Sequence, residues 1–219
     1  MKTGTDLLKL FYQENERWSF AFENMVQLSR LKTFHDSKKF IESFDSSQNN
    51  ELNKEVKHRV FVERSIFSSF NVFALNSYEE KRLNQIEFDI LDNYYKFFLK
   101  KSYKNVNNIN SILNVTNQNS ENEMKLHTSP SYTNTSKSRG IPFQIIYIRT
   151  DPDVCYDRLK KRDRSSEVTI SLDYLRNIHI KYEKWVDSLK ENDQTNLKII
   201  NGNLSKEMVL AQVDEIINE

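Results

Sequence analysis

Apolar and polar positions change rhythm several times along this chain. Between residues 5 and 34, Leu7, Leu8, Leu10 and Phe11, then Trp18, Phe22, Met25, Val26, Leu28 and Leu31, recur at three- and four-residue spacing, which predicts helix. Residues 36–56 are polar with weak periodicity and read as a connector with room for a short helix. Arg59–Glu63 holds the run Val60-Phe61-Val62 and reads as a short buried strand. Ser65 suits the N-cap of a following helix that carries Phe67, Phe70, Phe73 and Ala74. Another helix, about 84–101, lines up Phe88, Leu91, Tyr95 and Phe98.

The pattern then fails for forty residues. The window 101–140 holds nine Asn and seven Ser and predicts a disordered, low-complexity insertion decorating the surface. Order returns at Pro142, where Ile145, Ile146, Tyr147 and Ile148 read as a strand buried on both faces under helices. A helix over 153–164, an amphipathic helix over 172–186, a strand over 197–202 and a closing helix over 205–218 with Ser205 as N-cap complete the chain. Strands alternating with helices predict an α/β fold with a parallel sheet. Three strands make a thin sheet.

Composition narrows the function. The 219 residues carry a net charge of +1 with 29% charged residues, a balance that argues against a dedicated nucleic-acid binder. No apolar run is long enough to span a membrane, and no targeting segment is visible, so a cytoplasmic or mitochondrial protein is expected. The single cysteine, Cys155, excludes an intrachain disulfide. The four histidines show no metal-ligand spacing.

Three stretches carry candidate chemistry. Glu63-Arg64 ends a strand, where open α/β sheets hold ligands. A carboxylate there can hold a metal ion, and a guanidinium can hold phosphate. A surface ion pair before a helix cap would leave the same trace. In "CYDRLKKRDRSSE", Arg158 and Arg162 lie four apart on a helix and Arg164 follows. Three arginines can close over a polyphosphate, though a solvated basic helix reads alike. In "RWSFAFENMVQLSRLK", Glu23, Gln27 and Arg30 share a stripe beside Phe22 and Val26. That mix suits a flat heterocycle, and it also suits a plain amphipathic helix.

Taken together, these stretches resemble the deoxynucleoside kinase family. "VERSIFSSFNVFALNSYE" (62–79) is similar to its Glu-Arg-Ser motif and helix. "IIYIRTDPDVCYDRLKKRDRSSE" (145–167) is similar to its strand and arginine-rich lid. "LDYLRNIHIKYEKWV" and "LLKLFYQENERWSFAFENMVQLSRLK" resemble the post-lid and substrate-side helices. The resemblance implies one domain over 1–219, a P-loop-kinase-like three-layer parallel sheet flanked by helices. It implies phosphoryl transfer from ATP, with Mg, to a deoxynucleoside 5′-hydroxyl, and a homodimer formed through helices around 66–80 and 84–100, with Phe70, Phe73 and Tyr95 available for that contact. Glu63 matches a glutamate near magnesium and Arg64 an arginine near the 5′-hydroxyl. Arg158, Arg162 and Arg164 match lid arginines on the phosphate donor. Tyr12 and Glu167 match the pair holding the sugar 3′-hydroxyl. Phe22, Val26 and Arg30 match base-pocket positions.

The resemblance has gaps. The family's phosphate loop reads G-x-x-x-x-G-K-[ST], and nothing here fits it; Gly4 is the only early glycine. The general base is also unmatched. The expectation is an N-terminally truncated family member of about three strands, marginally stable and with little activity by itself. A non-catalytic relative that binds nucleosides or dimerises, and another small-molecule or nucleotide kinase, are the alternatives. Glu23 stands where the family usually has glutamine, and Ser69 where some members have aspartate, which leaves Arg30 free to pair with Glu23.

Overall fold

The computed structural model describes residues 6–45, 59–102, 143–191 and 196–218. The predicted insertion falls almost wholly outside these residues. So does the later part of the 36–56 connector.

The first helical stretch is two helices. Helix α1 (Leu7–Gln13) starts at Asp6, whose side chain accepts from the Lys9 N–H, and stops at Glu14, where the backbone leaves the helical region. Helix α2 (Asn15–Asp45) then runs for 31 residues. The expected connector over 36–45 is therefore helix. No glycine or proline interrupts 15–45, so the helix propagates through polar residues, helped by the Lys38–Glu42 pair and a Phe40–Phe44 edge contact.

The Ser65 helix forms as expected, with a reciprocal capping box between Ser65 and Ser68. It opens as α3 (Ile66–Ser68), passes through a π-helical segment (Ser69–Ala74) and ends as α4 (Leu75–Glu79). Helix α5 (Gln85–Ser102) has its own box: Asn84 Oδ1 accepts from the Glu87 N–H and Glu87 Oε2 from the Asn84 N–H.

Strand β1 (Ile145–Arg149) pairs in parallel with β2 (Leu197–Asn201), Tyr147 opposite Ile199. Between them lie α6 (Pro152–Arg162), a 3₁₀ turn (Ser165–Glu167) and α7 (Leu172–Lys190). Helix α8 (Lys206–Asn218) closes the described chain, and Ser205 accepts from the Met208 N–H.

The third strand is not there. Arg59–Glu63 has no ladder partner among the described residues, and Phe61 is 57% exposed. Its Val-Phe-Val run has β propensity, but a strand is stabilised by its neighbours. Strand β1 is correspondingly half-buried rather than buried on both faces, with Ile148 open at 47%.

The core gathers Ile66, Phe67, Phe70 and Val72 with Leu91, Tyr95 and Leu99 of α5 and Ile178, Trp185, Val186 and Leu189 of α7. Phe70 stacks on Tyr95 at 4.4 Å and both are buried. Those two residues face inward, and so cannot serve the dimer contact expected of them. Phe73 is occupied edge-on by Tyr182.

Candidate active site

A cleft of about 630 Å³ opens where α1, α2, the 62–68 turn, β1, α6 and α7 meet. Seven of the sequence-selected residues line it: Tyr12, Phe22, Glu23, Glu63, Arg64, Arg162 and Glu167. Val26, Arg30, Arg158 and Arg164 do not. The seven come from four separate segments, so the grouping is made by the fold rather than by sequence proximity.

Arg64 holds a left-handed backbone at φ 60°, which costs a non-glycine residue on the order of 1 kcal/mol. Its guanidinium carbon lies 4.4 Å from the Phe73 ring centroid. The adjacent carbonyl of Glu63 accepts from Arg30 Nη1 at 3.0 Å. That contact answers the expectation for Arg30: it turns to the Glu63 backbone, not to Glu23. Two helical turns separate Arg30 from Glu23 along α2, about 10 Å of rise. Ser69 instead donates to the Ser65 carbonyl.

Glu167 is buried and pinned from two sides. Arg162 donates to its Oε2 at 2.5 Å, and Arg164 Nη1 lies 3.5 Å from Oε1. Asp163 in the left-handed region ends α6 and lets the chain turn so that both arginines face one carboxylate. Tyr12 has its phenol pushed up, first by burial and then by the negative charge of Glu167. Arg158 is spent elsewhere: it donates to the carbonyls of Gly202 at 2.7 Å and Leu204 at 2.9 Å, fastening α6 to the loop after β2.

Glu23 is almost fully enclosed, and Ser77 Oγ donates to its Oε1 at 3.1 Å. Burial raises its carboxyl to about 7, against the lowering effects of the Ser77 hydrogen bond and of Arg82 and Arg64. Gln27, expected on the same stripe, turns away. It lines a separate groove of about 280 Å³ with Met25, Tyr94 and Phe98.

Sequence reading missed Phe73, Tyr174 and Tyr182 as cleft walls and Ser77 and Arg82 as neighbours of Glu23. Tyr174 and Tyr182 lie eight apart on amphipathic α7 and could have been found from that spacing. Arg82 and Ser77 carried no such signal.

A sequence model of the deoxynucleoside kinase family matches residues 1–112 and 110–218. The chain belongs to that family. It is 30% identical over 201 residues to deoxycytidine kinase 2 of Gallus gallus, covering 91% of this chain and 59% of the relative. It is 28% identical to deoxycytidine kinase of Mus musculus, with 84% and 54% covered. A probable deoxycytidine kinase of fowlpox virus is 27% identical, with 91% and 63% covered. The chain thus spans a little over half the length of these relatives. The α/β layering, with a small parallel sheet between helices, agrees with family membership. No described helix is long and apolar enough to cross a membrane.

Proposed function

We propose that these 219 residues form the nucleoside-side and lid portion of a deoxynucleoside kinase. The observation that carries this reading is the convergence of Tyr12, Phe22, Glu23, Glu63, Arg64, Arg162 and Glu167 on one cleft. In the reaction, the deoxynucleoside 5′-hydroxyl gives up its proton as its oxygen bonds to the γ-phosphorus of ATP, the bond to the β-phosphate oxygen breaks, and ADP leaves. Catalysis of this kind rests on positioning and charge.

Arg64 takes the 5′-hydroxyl and the transferred phosphate. Its φ and the Phe73 ring fix where its charge sits. Tyr12 and Glu167 take the sugar 3′-hydroxyl, Glu167 already aimed by Arg162 and Arg164. Phe22 and Glu23 flank the base, and Arg30 stands behind them, bonded to the Glu63 carbonyl. Arg162, the lid arginine that lines the cleft, serves the donor, with Arg164 beside it on Glu167. Arg158 serves the donor only after leaving its two carbonyls.

Among the described residues, no three His, Cys, Asp or Glu side chains cluster as a metal site. The exposed Glu63 fits magnesium in the mode that uses one carboxylate with donor phosphates and water. When bound, that ion neutralises charge on the transferring phosphoryl group.

The sequence has no G-x-x-x-x-G-K-[ST] stretch, so turnover by this chain alone is expected at background. The test pairs equilibrium binding of the four deoxynucleosides with a coupled assay containing magnesium-ATP. Saturable binding with background turnover is expected. Robust turnover overturns the activity statement, and no binding by any of the four overturns the nucleoside reading.

A second reading, a nucleoside-binding protein that acts by dimerising, draws on the outward face of α5, where Ile86, Tyr94 and Phe97 are 72%, 48% and 55% exposed. Sedimentation of the chain with and without deoxynucleoside tests it; a monomer under both conditions rejects it.

A further inference from the structure

Arg64 keeps a left-handed backbone that arginine does not favour. Such a conformation persists only where its surroundings hold it, so the turn needs ties. The sheet gives none, since residues 59–63 have no ladder partner among the described residues. On the C-terminal side, Ser65 is fixed by its reciprocal box with Ser68, and its carbonyl accepts from Ser69 Oγ. Beside the turn, the Phe73 ring takes the guanidinium. On the N-terminal side stands Arg30 of α2. Its Nη1 donates to the Glu63 carbonyl, and among the described residues no other hydrogen bond reaches the backbone of 60–64.

That carbonyl is well placed to set the turn. The Glu63 C=O and the Arg64 N–H belong to one planar peptide unit. Holding the oxygen holds the plane, and the plane is the reference from which Arg64 turns to its φ. A hydrogen bond from a charged donor holds it more firmly than a neutral one would. Arg30 does this from outside the cleft, which Glu63, Arg64, Ser65 and Ser68 line and Arg30 does not. Its Nε is enclosed without a hydrogen-bond partner, so its one described hydrogen bond goes to the turn. The two guanidiniums also repel: burial first, and then the Arg64 charge, push the Arg30 guanidinium below its ordinary value. That repulsion opposes any folding of Arg64 back toward α2.

We propose that Arg30 is a positioning residue: by holding the Glu63 carbonyl it fixes the Glu63–Arg64 peptide, and so sets where the Arg64 guanidinium meets a 5′-phosphate. This inference rests on the nucleoside reading of the cleft, in which Arg64 takes the transferred phosphate.

The probes are the best-bound of the four 2′-deoxynucleosides and its 5′-monophosphate, titrated by calorimetry into the whole chain, Arg30→Met and Arg30→Lys. In Arg30→Met, monophosphate affinity is expected to fall about tenfold, the size of one hydrogen bond involving a charged group, while deoxynucleoside affinity stays the same. Lysine keeps one donor and the charge, so Arg30→Lys is expected to recover most of the loss. Equal losses for both ligands, or no loss for either, overturn the inference and leave the nucleoside reading intact. Binding of neither ligand by the unaltered chain overturns both. A ligand-free readout stands beside it: the coupling between the amide and α protons of Arg64, which reports φ, should change in Arg30→Met and hold in Arg30→Lys. An unchanged coupling in Arg30→Met also overturns the proposal. Should Arg30→Met fail to fold, Arg30→Gln, polar but too short to reach the carbonyl, replaces it with the same expectations.

Discussion

The guanidinium of Arg64 sits 4.4 Å from the centre of the Phe73 ring, presented by a residue whose φ is 60°. The backbone conformation is costly for arginine and the ring contact offsets part of that cost, by about 0.5–1 kcal/mol. Position 64 therefore trades stability for placement of a charge. Glycine adopts positive φ freely, so Arg64→Gly should change thermal stability by no more than about 1 kcal/mol. The same variant should lose most affinity for a deoxynucleoside 5′-monophosphate. Thermal melts and calorimetric titration check the two halves; a large loss of stability would show that the left-handed backbone is not strained.

Glu23 makes stability depend on pH. Its folded value near 7 lies above the ordinary 4.5, so the folded chain binds this proton more tightly than the unfolded chain. The contribution is full below pH 4.5 and disappears as pH rises through 7. A shift of that size corresponds to about 3 kcal/mol. Urea unfolding at pH 5, 6, 7 and 8 should show the decline, and Glu23→Gln should remove most of it. An identical slope in the variant would assign the decline to other groups.

Gly202 follows β2 where it packs against the end of β1. A Cβ there would meet Thr150 Oγ1 at 2.0 Å, the Arg149 carbonyl at 2.8 Å and Ile148 Cγ2 at 2.9 Å. The hydroxyl can rotate away; the carbonyl cannot, because it accepts from the Gly202 N–H at 2.6 Å. Gly202→Ala should cost about 1–3 kcal/mol, read by denaturant midpoint.

Arg158 should behave as a structural residue more than its neighbours do. Removing its two carbonyl contacts in Arg158→Ala should cost about 1–2 kcal/mol. Lysine should restore little, since one ammonium does not reproduce a two-pronged guanidinium. Chemical denaturation of the three forms decides it.

The sequence made most of the helices, the parallel pairing and seven residues of the cleft lining readable. Ser65, Ser205 and the α7 stripe declare themselves through capping and periodicity. The 59–63 strand was misread because a Val-Phe-Val run reports β propensity but not whether a neighbour exists. The continuation of α2 to Asp45 was missed because weak amphipathicity does not stop a helix that lacks a breaker. In the cleft, residue types and spacing picked out Glu63, Arg64 and Arg162, which line it, but side-chain direction lies outside any pattern. Arg158 and Arg162 share a helix face, yet one grips two carbonyls and the other Glu167. Ser77 is 54 residues from Glu23 and meets it only through tertiary packing.

The central claim is that this cleft holds a deoxynucleoside with its sugar between Tyr12 and Glu167. The most direct measurement compares the affinity of the best-bound 2′-deoxynucleoside with that of its 2′,3′-dideoxy analogue, in the unaltered chain and in Glu167→Gln. Loss of the 3′-hydroxyl should weaken binding about tenfold or more in the unaltered chain and have little effect in the variant. Equal affinity for both ligands in the unaltered chain, or the same loss in Glu167→Gln, would contradict the account.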